Sequence, residues 1–91
     1  MIAKRVIFEG RVQGVGFRYT AKDIARGFDV CGSVANLPDG SVELEVMGET
    51  GEVERFLREI TEESPVAHHI KTMRTQIIPS PANTSGFTIR R

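Results

Sequence analysis

One cysteine, no tryptophan, one tyrosine and a net charge of zero leave this 91-residue chain without the groups that many functions require. Cys31 has no second cysteine to pair with, which excludes a disulfide within the chain and any metal site built on paired thiols, such as a metallochaperone would use. Twelve basic and twelve acidic residues cancel, so no long-range field draws the chain to nucleic acid or to an anionic membrane. Any anion site must be local. The longest apolar runs are strand-sized, such as Val6-Ile7-Phe8, and Met1-Ile2-Ala3-Lys4-Arg5 lacks the apolar run and cleavage site of a signal peptide. The expectation is a soluble, cytoplasmic protein with no membrane partner.

What is present suits a folded domain. Forty per cent hydrophobic and 26% charged residues are ordinary globular values, and a chain of this length has no apolar surplus for a second core. One domain spanning residues 1–91, acting as a monomer, is expected. Val6 and Phe8 alternate with Arg5, Ile7 and Glu9 in a first strand over Lys4 to Gly10. Phe17, Ala21, Ile24, Ala25 and Phe28 form a helical stripe that stops at Gly27. Val30 to Asn36 reads as a second strand, Leu37-Pro38-Asp39-Gly40 as a turn, and Ser41 to Met47 as a third strand with Val42, Leu44 and Val46 on one side.

Thr50 is placed to cap a second helix whose Val53, Phe56, Leu57 and Ile60 share a face, with Glu49 and Glu52 near its positive end and Ser64-Pro65 ending it. Ala67 to Ile78 is β-like with poor alternation. Residues 79–86 are a loop, and Phe87 to Arg90 forms a short last strand. The order β-α-β-β-α-β plus a C-terminal strand predicts an α+β, ferredoxin-like two-layer sandwich: a largely antiparallel sheet with two helices on one face. A right-handed crossover makes the first two strands parallel, with the third between them. Their C-terminal ends then share one edge, which sets the Gly10–Gly16 loop roughly 10 Å from Asn36, two strand spacings away.

The loop Gly10-Arg11-Val12-Gln13-Gly14-Val15-Gly16-Phe17-Arg18 leads from a strand into a helix N-terminus, where unpaired amides and the positive dipole end favour an anion. Glycine spacing alone favours a tight strand-to-helix turn over an anion site. Arg18 shifts the balance towards an anion site, because a cation in a first helical turn is misplaced unless something negative sits there, and guanidinium matches phosphate bidentately. The competing reading is a solvated surface arginine. Asn36 is equally a turn residue or a group that orients a nucleophile, since its amide both accepts and donates hydrogen bonds.

These residues carry a resemblance. The Gly10–Arg18 segment resembles the first signature of the acylphosphatase family, and Gly32-Ser33-Val34-Ala35-Asn36-Leu37-Pro38-Asp39-Gly40-Ser41-Val42-Glu43, with Gly48 after it, resembles the second. The terminal Gly86-Phe87-Thr88-Ile89 agrees as well. Ser33 stands where an aromatic residue is frequent in the family, Ala35 where a basic one is frequent, and Ser64-Pro65 where Gly-Pro is common. The resemblance implies hydrolysis of carboxyl-phosphate anhydrides to a carboxylate and inorganic phosphate, with Arg18 and Asn36 as the catalytic pair. The phosphate-binding residues are then Val12, Gln13, Gly14, Val15, Gly16, Phe17 and Arg18. The partners are a small-molecule acyl phosphate and inorganic phosphate, the latter as product and competitive inhibitor.

A carboxylate leaves without a general acid, so positioning and charge dispersal suffice, and neither cofactor nor metal is expected. A domain that senses a phosphorylated metabolite without hydrolysing it is the alternative, because the loop would bind the ligand either way. RNA recognition on the same sandwich would need aromatic residues on the open sheet face, where Glu43 and Glu45 read as solvated instead. Adjacent His68 and His69 would point to opposite faces of a strand and are assigned no role. Cys31 reads as a small apolar strand residue.

Overall fold

The computed structural model describes residues 1–90. Strand β1 runs from Ile2 to Gly10, helix α1 from Phe17 to Ala25, and strands β2 and β3 cover Val30–Asn36 and Val42–Gly48. Helix α2 spans Thr50–Arg58 and continues in a wider turn over Glu59–Glu63. Strands β4 (Ile70–Ile77) and β5 (Phe87–Ile89) complete one sheet in the order β4-β1-β3-β2-β5. Every pairing is antiparallel except β2 with β5. The ferredoxin-like sandwich is thus the fold.

Alternation decides which way each central strand faces. Val6 and Phe8 of β1, Val34 of β2, and Val42, Leu44 and Val46 of β3 are all buried on one face, against Phe17, Ala21 and Ala25 of α1 and Val53, Phe56 and Leu57 of α2. Removing a large buried side chain from such a core costs about 2–5 kcal/mol. Aromatic edges tie the layers together: Phe56 lies 6.1 Å from Phe28 and 5.5 Å from Phe87, ring centre to ring centre. The first turn of α2 is held by Glu52, whose carboxylate accepts the Asp29 amide at 2.8 Å. Thr50 does not cap this helix; Glu49 precedes it and the helix has no side-chain cap.

The β-like stretch expected over Ala67–Ile78 divides in two. Ala67–His69 is a single 3-10 turn, fixed by hydrogen bonds from the Ala67 amide to the Ser64 carbonyl and from His69 to Val66. His68 and His69 therefore do not face opposite ways; their ring centres lie 4.0 Å apart. The strand starts only at Ile70, and its alternation is poor because β4 is an edge strand that the helices leave uncovered.

The open sheet face is not simply solvated. After β4 the chain passes across it, with the Ile78 amide bonded to the Ala3 carbonyl, the Ala82 amide to Glu45, and the Asn83 side chain to the Gly32 carbonyl. Glu45 is consequently buried, against expectation, and Arg5 Nη2 meets its carboxylate at 3.1 Å. Glu43 bonds Arg90 at 2.8 Å, and Arg90 also donates to the fully buried Ser33 hydroxyl at 2.7 Å.

Burial pushes the Glu45 carboxyl up, but the Ala82 amide and the Arg5 guanidinium outweigh it and hold its pKa below the usual glutamate value of 4.5. A carboxylate whose pKa falls on folding stabilises the native state above its unfolded pKa, and the gain is lost as pH falls through the folded value. Wild type should therefore exceed Glu45→Gln by about 1–3 kcal/mol at pH 7, the scale of a charge-assisted hydrogen bond. In urea titrations that advantage should shrink as pH drops below about 4.5, the unfolded value. A difference independent of pH would show that the carboxylate charge contributes nothing.

Candidate active site

Where β1 ends, the chain must turn sharply beneath the 3-10 segment. The Arg11 amide donates to the His69 carbonyl at 3.0 Å, and a Cβ on Gly10 (φ 132°) would lie 2.4 Å from that same oxygen. No side chain fits there. Gly10→Ala should cost on the order of 3 kcal/mol, from overpacking against backbone together with the positive φ, measured by urea denaturation. A variant within about 0.5 kcal/mol of wild type, the range of a neutral surface change, would show that the loop entrance is free to move.

The loop then pivots on two residues. Val12 is fully buried, and Phe17 packs its ring 4.9 Å from that of Phe8, so one side chain at each end anchors the loop to the core. Between them Gly14 and Gly16 adopt φ of 79° and 81°, a left-handed conformation that glycine takes without strain. Helix α1 begins at Gly16 with no side-chain cap and no acidic residue in its first turn. Among the described residues no backbone carbonyl accepts from the amides of Val12 to Tyr19. Unpaired amides at a helix N-terminus make an anion site.

Val12, Gly14, Gly16 and Phe17 of this segment line a recess together with Arg18, Tyr19 and Asn36, with a volume of about 70 Å³. That is room for one small polyatomic anion. No carboxylate lines it, and Arg18, half-buried, makes no ion pair among the described residues. The charge of the recess is thus positive and uncompensated. Roomier hollows exist, one of about 300 Å³ between α2 and β4, but Lys4, Glu54 and Arg58 give it charges of both signs, and it includes no residue of the glycine loop.

Asn36 lines the recess at the start of a hydrogen-bonded turn. The Leu37 amide donates to the Ser41 carbonyl and the Gly40 amide to the Leu37 carbonyl, at 2.9 and 3.1 Å. Asp39 accepts the Ser41 hydroxyl at 2.6 Å and the Ser41 amide at 3.0 Å, which hold its carboxyl below the usual aspartate range. The Asn36 side chain makes no hydrogen bond among the described residues. Its amide is left for a ligand or water.

The recess brings together Arg18, Asn36 and most of the loop, but not all of the residues expected there. Val15 is half-buried against the core, and the Gln13 side chain turns away to the hairpin, where Nε2 donates to the carbonyls of Leu37 and Ser41, both at 2.8 Å. Tyr19, which the sequence reading passed over, stands at the rim with 74% of its surface exposed. Its position directly after Arg18 in the first turn was the only available signal. Among the described residues no three His, Cys, Asp or Glu side chains cluster as a metal site would require.

Fold and recess define a small sandwich domain with a cationic recess at a strand-to-helix loop. The acylphosphatase family profile matches residues 4–89, and the chain belongs to the acylphosphatase family. An acylphosphatase from Methanospirillum hungatei is 43% identical over 97% of this chain and 98% of its own length, and one from Thermotoga maritima is 37% identical over 99% and 98%. The crystal structure of the Bacillus subtilis acylphosphatase superposes with a TM-score of 0.88 at 31% identity, covering all of both chains.

Proposed function

We propose that the recess is the catalytic centre of an acylphosphatase that hydrolyses carboxyl-phosphate anhydrides, with Arg18 and the loop amides holding the phosphoryl group and Asn36 orienting the attacking water. The observation that carries this reading is the sharing of one small recess by a cation, free helix-terminal amides and an unpaired asparagine amide, with no carboxylate among them. The phosphoryl oxygens carry charge throughout the reaction, and fixed donors in a confined site stabilise it without reorganising. Val12, Gly14, Gly16 and Phe17 shape the cradle, and the amides of Gln13 and Val15 belong to the same run.

Water attacks phosphorus in line with the leaving group. The P–O bond to the acyl group breaks, its electron pair stays on the carboxylate, and the proton lost by water passes to phosphate and solvent. Asn36 accepts a hydrogen bond from this water through its side-chain carbonyl, which positions it without abstracting the proton. Because the carboxylate is a good leaving group, no Lewis acid is required. A sensor that binds phosphate without turnover would have no use for a polar group opposite the arginine, so Asn36 favours hydrolysis.

The enzyme is read as a cytoplasmic monomer acting on small acyl phosphates, without a nucleic-acid or membrane partner; among the described residues no helix is long and apolar enough to cross a membrane. The direct test is hydrolysis of benzoyl phosphate against that of a phosphate monoester. Turnover of the first alone, undiminished by exhaustive EDTA treatment and inhibited competitively by inorganic phosphate, is the expected result. Binding without turnover would make the chain a sensor, and activity restored only by added magnesium would overturn the metal-free mechanism.

A further inference from the structure

The Gln13 side chain is the one part of the phosphate loop committed to the hairpin that carries Asn36. Its Nε2 has two hydrogens and uses both, at 2.8 Å each, on the carbonyls of Leu37 and Ser41. Those carbonyls already accept from Gly40 and Leu37, so the glutamine adds a further rung at the mouth of the turn, next to Asn36. Every other anchor of the loop points elsewhere: Arg11 bonds His69, Val12 enters the core and Phe17 packs on Phe8.

The sheet cannot do this job. Its last ladder positions are Phe8 opposite Val42 and Asn36 opposite Val42, so the β1 and β2 ends are spaced by β3 only up to that point. Beyond it, the loop and the turn extend past the ladder. Among the described residues the two Gln13 bonds are the only hydrogen bonds joining residues 11–16 to residues 37–41. We infer that Gln13 is a positioning residue, whose side-chain amide sets the distance between the phosphate cradle and the Asn36 amide and thereby the alignment of the attacking water. This rests on the proposed role of Asn36.

The chemistry of the side chain explains the residue type. Asparagine would fall a methylene short, and glutamate would present an acceptor to two acceptors. Misplacement of a reacting group by about 1 Å can cost on the order of a hundredfold in rate. The contact leaves the phosphate donors themselves untouched, so its loss should appear in kcat and not in phosphate affinity.

Gln13→Met retains length and removes both donors. Steady-state hydrolysis of benzoyl phosphate and inhibition by inorganic phosphate should be measured for wild type, Gln13→Met, Asn36→Ala and the double variant. The expected results are a kcat at least tenfold lower for Gln13→Met, a phosphate inhibition constant within about threefold of wild type, and a further loss under twofold when the change is added to Asn36→Ala. Losses that multiply in the double variant, a near-normal kcat for Gln13→Met, or an equal loss of phosphate affinity would each overturn the inference. Wild-type turnover in Asn36→Ala alone would instead remove the role of Asn36, and this inference with it. A measurement independent of any variant is phosphate titration of the wild-type protein followed by amide NMR. The Leu37 and Ser41 resonances should shift with those of the loop, and their failure to move would show that the two segments are not coupled.

Discussion

Arg18→Ala should lower kcat/KM for an acyl phosphate by on the order of a thousandfold and weaken inhibition by inorganic phosphate in the same preparation. The guanidinium is the only side-chain cation lining the recess, and no ion pair among the described residues holds it elsewhere. A fixed donor to a charge that grows in the transition state is worth about 10²–10³ in kcat, and loss of a ground-state contact adds to this in KM. Arg18→Lys should recover only part of the activity, because a point charge lacks the two parallel N–H bonds of the planar fork. The fold should survive, since the side chain has no structural partner to abandon. A folded Arg18→Ala protein that binds phosphate as wild type does would move the anion site away from this residue.

Asn36→Ala should separate binding from chemistry. Turnover is expected to fall by on the order of a hundredfold, the scale of a lost positioning group, while the phosphate inhibition constant stays close to that of wild type. The contrast is expected because, in the proposed mechanism, the loop amides and Arg18 hold the phosphoryl group without help from Asn36, whereas Asn36 alone is assigned to the attacking water. Circular dichroism and the melting temperature must be compared first, because Asn36 leads into the Leu37–Ser41 turn and its loss could act through structure. A folded variant with near-normal turnover would reduce Asn36 to a turn residue.

The open sheet face shows how a local pattern can mislead. Glu43 and Glu45 alternate with core residues, which in an antiparallel strand reads as a wet face. Here Glu45 is closed over by Ala82, 37 residues further along, and Arg5 comes from a neighbouring strand to meet it. Neither partner is near in sequence. Burial of one charge therefore depended on where a proline-containing segment with little periodicity of its own would lie, and hydrophobic alternation says nothing about that. The boundary of β4 failed for a related reason: an edge strand exposed on both faces has no reason to alternate.

What the amino-acid sequence determined by itself was the arrangement of elements around the glycine loop. Apolar periodicity set the two helices and three central strands, the handedness of the crossover brought the ends of β1 and β2 to one edge, and a glycine loop leading to a first-turn arginine marked that edge as the candidate anion site. Those features are encoded over ten or so consecutive residues, or follow from rules that apply to any chain. Tertiary structure alone decided that β5 lies parallel to β2, that Glu45 is buried beneath residues 78–86, and that Gln13 reaches the carbonyls of Leu37 and Ser41. Each depends on a backbone group as acceptor or donor, and since nearly every residue carries one, no residue type in the sequence marks the partner.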